Sequence, residues 1–197
     1  TGTGDILVAS NNSCGSSANS SLTITPSGTS LPNQPGNISG PASPCVSSSQ
    51  TYSVVAVSGA TSYTWTLPSG WTGTSTTETI NVTAGSAGGS ISVTANNSCG
   101  SSAAQTRTLG VTNVPAQPGT ITGNATVCQG TTNTYSIFAV GGATNYTWTL
   151  PSGWTGSSTS TSIVAIAAGS SGNITVSANN SCGSSTVKTL ATTVNTP

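Results

Sequence analysis

At 197 residues the chain can form one large domain or two of ordinary size, yet only Asp5, Glu78, Arg107 and Lys188 are charged, the net charge is zero, and histidine and methionine are absent. Acid–base catalysis needs a histidine or a tuned carboxylate, nucleic-acid binding needs many Lys and Arg, and zinc or calcium sites need histidines or clustered carboxylates, so the inventory argues against an enzyme, a nucleic-acid binder and a metal protein, and no cofactor is expected. No apolar run approaches the roughly 20 residues that span a bilayer, and the polarity comes instead from Ser, Thr, Asn and Gly.

The elements follow a repeat. "ILVASNNSCGSS" at 6–17 matches "ISVTANNSCGSS" at 91–102, and "ANNSCGSS" returns at 178–185. Residues 1–31 therefore read as the closing strands of a preceding, incomplete repeat, followed by complete repeats at 32–114 and 115–197. The step from Cys45 to Cys128 equals that from Cys99 to Cys182, so one period governs both ends of the repeat. Each complete repeat opens on a proline phrase, "PNQPGNISG" or "PAQPGTITG". The expectation is a longer tandem array of which this chain is an excerpt, or one whose leader has been removed by processing.

Within a repeat the apolar residues alternate, which is the signature of strands. "TYSVVAV" and "TYSIFAV" give one strand, and "YTWTL" the next, with Tyr63, Trp65 and Leu67 on one face. "TINVTAG" and "ISVTAN" continue the pattern through Ile80, Val82, Ile91 and Val93. In the second repeat "SIVAIAAG" fits "TINVTAG" only with a one-residue shift. Short strands parted by Gly, Ser, Asn and Pro turns, with no helical window, predict an all-β chain: tandem antiparallel β-sandwiches of about seven strands each.

Each complete repeat carries one cysteine near its start and another in its "NNSCGS" turn, Cys45 with Cys99 and Cys128 with Cys182, at the same spacing in both. The shared period makes pairing within each repeat the economical reading, one disulfide per sandwich at one pole, and persisting disulfides place the protein outside the reducing cytoplasm. Cys14, the counterpart of Cys99, has no partner at that spacing in this segment.

The run "TYSV…ATSYTWTLPSGWTG…ISVTANNSCGSS" resembles the PKD-like, immunoglobulin-like repeats of very large secreted proteins of the Bacteroidetes, and the match covers the whole chain. The resemblance implies export, commonly by the type IX secretion route, and display at the cell surface as an adhesin, stalk or filament. Better-known PKD domains carry an acidic "FGDG"-type turn where this chain has "LPSGW", so ion binding at that turn does not carry over.

The tryptophans divide. Trp65 and Trp148 share strand parity with Tyr63 and Tyr146 and are read as core. Trp71 and Trp154 follow the "PSG" turn, where a ring either caps the open end of the sandwich, the preferred reading, or stands exposed as a sugar-stacking platform. Two functions follow: a non-catalytic extracellular structural or adhesive rod, and, as the alternative, a carbohydrate-binding module using Trp71 and Trp154. The expected partners are other repeats of the same long chain, neighbouring copies in a surface assembly, and glycans.

Overall fold

The computed structural model describes residues 4–24 and 30–195. In the leading segment β1 (Gly4–Val8), β2 (Asn11–Asn12), β3 (Gly15–Ser16) and β4 (Ser20–Ile24) form a hairpin in which Ile6 lies opposite Leu22. The first complete repeat supplies β5 (Ser49–Ser53), β6 (Ser62–Thr66), β7 (Thr79–Thr83), β8 (Gly89–Asn97), β9 (Gly100–Ser101) and β10 (Gln105–Leu109). The second supplies β11 (Thr126–Cys128), β12 (Thr132–Ser136), β13 (Asn145–Thr149), β14 (Ser162–Ile166), β15 (Gly172–Asn180), β16 (Gly183–Ser184) and β17 (Lys188–Asn195).

Each repeat is two facing sheets, β10-β8-β6 against β5-β7 and β11-β17-β15-β13 against β12-β14. The ladders are antiparallel except β11 against β17; in the first repeat that parallel pairing shrinks to one bridge, Cys45 opposite Thr112. The alternation of the strands explains the layering, because residues of one parity face the opposite sheet. Tyr52, Ile80, Val82, Ile91, Val93 and Ala95 fill the first interior, and Tyr135, Ile163, Ala165, Ile174, Val176 and Ala178 the second. Each large aliphatic buried in this way stabilises its repeat by roughly 1.5–3 kcal/mol. Gly40, at φ 135°, lets the backbone lie on the Tyr52 ring, since a Cβ there would overlap the ring carbons.

Two strand expectations change. The run "TYSVVAV" keeps its ladder to β7 only as far as Ser53, and Val55 turns outward after Val54 is buried. The one-residue shift in "SIVAIAAG" does not occur: Ile163, Ala165 and Ala167 are buried at the positions of Ile80, Val82 and Ala84, and Val164 and Ile166 face solvent. Apolar residues on both faces of β14 blur its parity in the sequence, and ladder pairing to β12, with Tyr135 opposite Ile163, decides it.

Candidate functional site at the repeat junction

The tip of the hairpin closed by β2 and β3 recurs between β8 and β9 and between β15 and β16 with one hydrogen-bond pattern. The side-chain oxygen of Asn12, Asn97 or Asn180 accepts from the backbone N–H of the cysteine two residues on, at 2.9, 2.8 and 2.8 Å respectively. The Oγ of Ser17, Ser102 or Ser185 accepts the N–H of residue 10, 95 or 178 at 3.0 Å in every case. An asparagine that bonds its own backbone two residues ahead builds a turn from local sequence alone. Each copy therefore presents its cysteine at the apex.

In the complete repeats this tip also clamps the incoming chain. The Asn180 amide donates to Asn113 O (2.7 Å) and the Gln117 amide to Val187 O (2.7 Å), and Asn97 and Gln34 make the same bonds to Ser30 O and Ala104 O, at 2.8 Å each. Pro32, Pro35, Pro115 and Pro118 are buried alongside. Gly183, at φ 135°, leaves room for Val114, whose Cγ1 would stand 3.2 Å from an added Cβ. Sequence reasoning missed these Asn and Gln clamps, although the repetition of "QPG" and "NNSCGSS" is the signal that marks them.

Cys45 sits at the opposite pole of the first repeat. Thr112 accepts from Val46 N–H (3.0 Å) and donates its own N–H to Pro44 O (2.8 Å), and the Ser48 hydroxyl donates to Cys45 O (2.6 Å). One residue further, Asn113 is held by the tip of the second repeat, so Cys45 and Cys182 meet across the junction. They form a disulfide with Cα atoms 5.5 Å apart, spanning 137 residues of sequence.

The within-repeat pairings Cys45–Cys99 and Cys128–Cys182 are thus corrected. Cys45 is bridged to Thr112 in the segment just after β10, near the start of β8, and Cys99 lies past the end of β8. The strand between them is nine residues long, or roughly 26 Å, whereas a disulfide tolerates about 7 Å between Cα atoms. The shared period is real but cannot tell one repeat's two poles apart. Cys14 and Cys128 are exposed free thiols. The bonded Cys45 and Cys182 are half-buried, whereas their counterparts Cys128 and Cys99 are exposed.

The lid reading of Trp71 and Trp154 holds, whereas Trp65 and Trp148 pack on the core only in part. Trp71 and Trp154 are 6% and 7% exposed, and their indole N–H groups donate to Ala87 O (2.8 Å) and Ser170 O (2.9 Å). Their ring centroids stand 6.4 Å from those of Tyr52 and Tyr135. They are lids over the sandwich and offer no free face for a sugar ring. Trp65 and Trp148 are only partly buried, because β6 and β13 are the outer strands of their sheets; their N–H groups donate to Thr77 O and Ser160 O.

Arg107 bonds Ile38 O and Gly40 O, each at 2.9 Å, and so serves the fold. Burial raises the Tyr52 phenol above its ordinary value, partly offset by Arg107, and burial alone raises that of Tyr135. Among the described residues no cluster of His, Cys, Asp and Glu could hold a metal.

A family model described as a PKD-like domain matches residues 31–109 and again 114–192. Among solved structures, the titin domains I67–I69, in an E-to-A mutated variant, are 17% identical with a TM-score of 0.50, over 86% of this chain and 68% of that one. The eight N-terminal Ig domains of Down Syndrome Cell Adhesion Molecule are 18% identical with a TM-score of 0.49, over 99% of this chain but 28% of that one. A C-terminal 282-residue fragment of intimin, solved with the intimin-binding domain of its translocated receptor, is 16% identical with a TM-score of 0.46, over 80% of this chain and 64% of that one. At these identities the likeness to the titin domains concerns the fold. No curated protein matches the chain.

Proposed function

The chain belongs to the PKD-like domain family, and from that premise we propose that it is a non-catalytic extracellular structural and adhesive segment, consecutive sandwiches locked end to end into a semi-rigid rod. The observation that carries this reading is the Cys45–Cys182 disulfide, which ties one repeat to the next. A backbone linker alone leaves neighbouring domains free to reorient; here a second covalent connection, buried prolines and the Asn180 and Gln117 clamps restrain the same joint. Tension along the chain passes from Cys45 to Cys182 through sulfur, so the residues between them are shielded from load.

A persisting disulfide supports an oxidising, extracellular setting. With so few charges the surface has little to titrate or screen, which suits a spacer exposed to varying salt. In this reading the partners are further repeats of a longer chain, neighbouring copies in a surface assembly, and glycans, with display by a Bacteroidetes-type secretion route. Backbone 15N relaxation tests the rod. The two repeats share one anisotropic tumbling tensor when oxidised and separate on reduction; independent tumbling with the disulfide intact overturns the proposal.

A further inference from the structure

We propose that Cys128 is the next station of the same staple: it receives the tip cysteine of a further PKD-like repeat docked on the C-terminal pole of the second repeat, so that each disulfide along an array repeats the sequence separation of the Cys45–Cys182 bond. This rests on the rod reading and deepens it.

The surroundings of Cys128 reproduce those of Cys45 bond for bond. Cys128 lies parallel to Asn195 as Cys45 lies parallel to Thr112. Gln129 N–H donates to Asn195 O (3.1 Å) as Val46 N–H does to Thr112 O (3.0 Å). Gly130 N–H reaches Ala167 O (2.8 Å) as Ser47 N–H reaches Ala84 O (2.9 Å), both residues in the left-handed region at φ 79° and 62°. The Thr131 hydroxyl donates to Cys128 O (2.7 Å) as that of Ser48 does to Cys45 O (2.6 Å). The second, independent observation is that Cys45, held in this way, is bonded, whereas Cys128 is an exposed thiol.

The other half of the bond is equally prebuilt, since the tips bearing Cys14, Cys99 and Cys182 share one hydrogen-bonded turn. The occupant is thus specified: a repeat with an Asn-Asn-Ser-Cys-Gly tip, whose "QPG" phrase enters just after β17. Within residues 1–197 no cysteine stands as far beyond Cys128 as Cys182 stands beyond Cys45. With such stations overlapping, every stretch of an array's backbone is bridged by at least one disulfide.

Closure requires a disulfide oxidant such as oxidised glutathione. The Cys128 thiolate attacks its S–S bond and releases one glutathione thiol. The tip thiolate then attacks the Cys128 sulfur of the mixed disulfide and releases the second, so two protein thiols are oxidised as one disulfide is reduced.

The test fuses a copy of residues 32–114 after Pro197 of the full chain, carrying Cys99→Ser in the original repeat so that the appended tip peptide is unique. After equilibration in a glutathione redox buffer, non-reducing digestion and mass spectrometry should link Cys128 to the appended tip beside an intact Cys45–Cys182 bond. Alkylation of Cys128 should fall from complete in the original chain to near zero, and a Cys128→Ser version should restore alkylation of the appended tip. Cys128 remaining alkylatable while Cys45–Cys182 forms overturns this proposal alone, and absence of both bonds overturns the rod reading with it.

Discussion

The leading hairpin and its two counterparts have nearly the same sequence and the same strand register, yet opposite surroundings. Ile6 and Val8 are 51% and 65% exposed, whereas Ile91 and Val93, at the same places in the motif, are 0% exposed, as are Ile174 and Val176. Every described residue of 4–24 is exposed. Nevertheless the tip is identical, Asn12 holding Cys14 as Asn180 holds Cys182. The tip is a product of local hydrogen bonding, whereas the buried face and the disulfide exist only where a second sheet or a second repeat is present.

The largest effect separates the stapled region from the hairpin mechanically. In single-molecule stretching the oxidised chain should yield no length from residues between Cys45 and Cys182, and reductant should release about 470 Å of contour, 137 residues at about 3.4 Å each. The same contour released without reductant would show that the staple is not in the load path. The chain-entropy estimate for a loop of that size gives about 5 kcal/mol of stabilisation against unfolding of the whole span.

Next in size are the faces. Ile91→Ala and Trp71→Ala should each destabilise the first repeat by about 2–5 kcal/mol through a cavity in a closed core, measured by denaturant unfolding. Ile6→Ala in the hairpin should change nothing beyond about 0.5 kcal/mol. A comparable loss at Ile6 would mean that the hairpin face is covered in solution.

A smaller effect tests the tip. Asn180→Ala removes the acceptor for Cys182 N–H and the clamp on Asn113, and should cost about 1–2 kcal/mol and slow oxidative closure of Cys45–Cys182. Asn12→Ala should leave both stability and closure untouched. Equal effects would contradict the division between local turn and tertiary junction.

The smallest contrast at neutral pH becomes visible in alkali. Tyr52 and Tyr135 are phenols raised above their ordinary value of 10.0, chiefly by burial. The fold favours the neutral form, so their contribution is present in full below pH 10 and is lost as pH rises through the folded values. Stability should therefore be level through neutral pH, where no histidine titrates, and fall above pH 10. Tyr52→Phe with Tyr135→Phe should flatten that alkaline fall, although each loses a hydrogen bond, to Pro41 O and Asn124 O respectively. The leading hairpin, which has no tyrosine, should show no such pH response in its own amide shifts.

The two complete repeats also differ from each other. Arg107 ties the first repeat's outer segment by two carbonyls, whereas Leu190 stands at that place in the second and packs on its core. Asn81, bonded to Thr51 at 2.6 Å, is replaced by the exposed Val164, and Phe138, 90% exposed, stands where the first repeat has Val55. The scaffold tolerates the exchanges at Asn81 and Val55 because those side chains face solvent. It tolerates the one at Arg107, opposite Ile91 as Leu190 is opposite Ile174, because each side chain there is satisfied, Arg107 by two carbonyls and Leu190 by the core.

From residue order alone came what depends on short range: the repeat, the all-β class, the inward parity of Tyr63, Ile80, Ile91 and Val93, and the inventory that argues against catalysis. Each rests on period-two alternation or on composition, which neighbouring residues state directly. Only the tertiary structure decided how far each tryptophan is covered and which cysteines meet. Trp71 is buried because its turn folds it over the gap between two sheets, and Trp65 is partly open because β6 has a neighbour on one side only. Cys45 pairs with Cys182 and not with Cys99 because a sandwich has two poles a strand length apart. The period that carries Cys45 to Cys128 and Cys99 to Cys182 is compatible with a bond inside a repeat or across two, and distance in space, which no spacing along the chain records, chose between them.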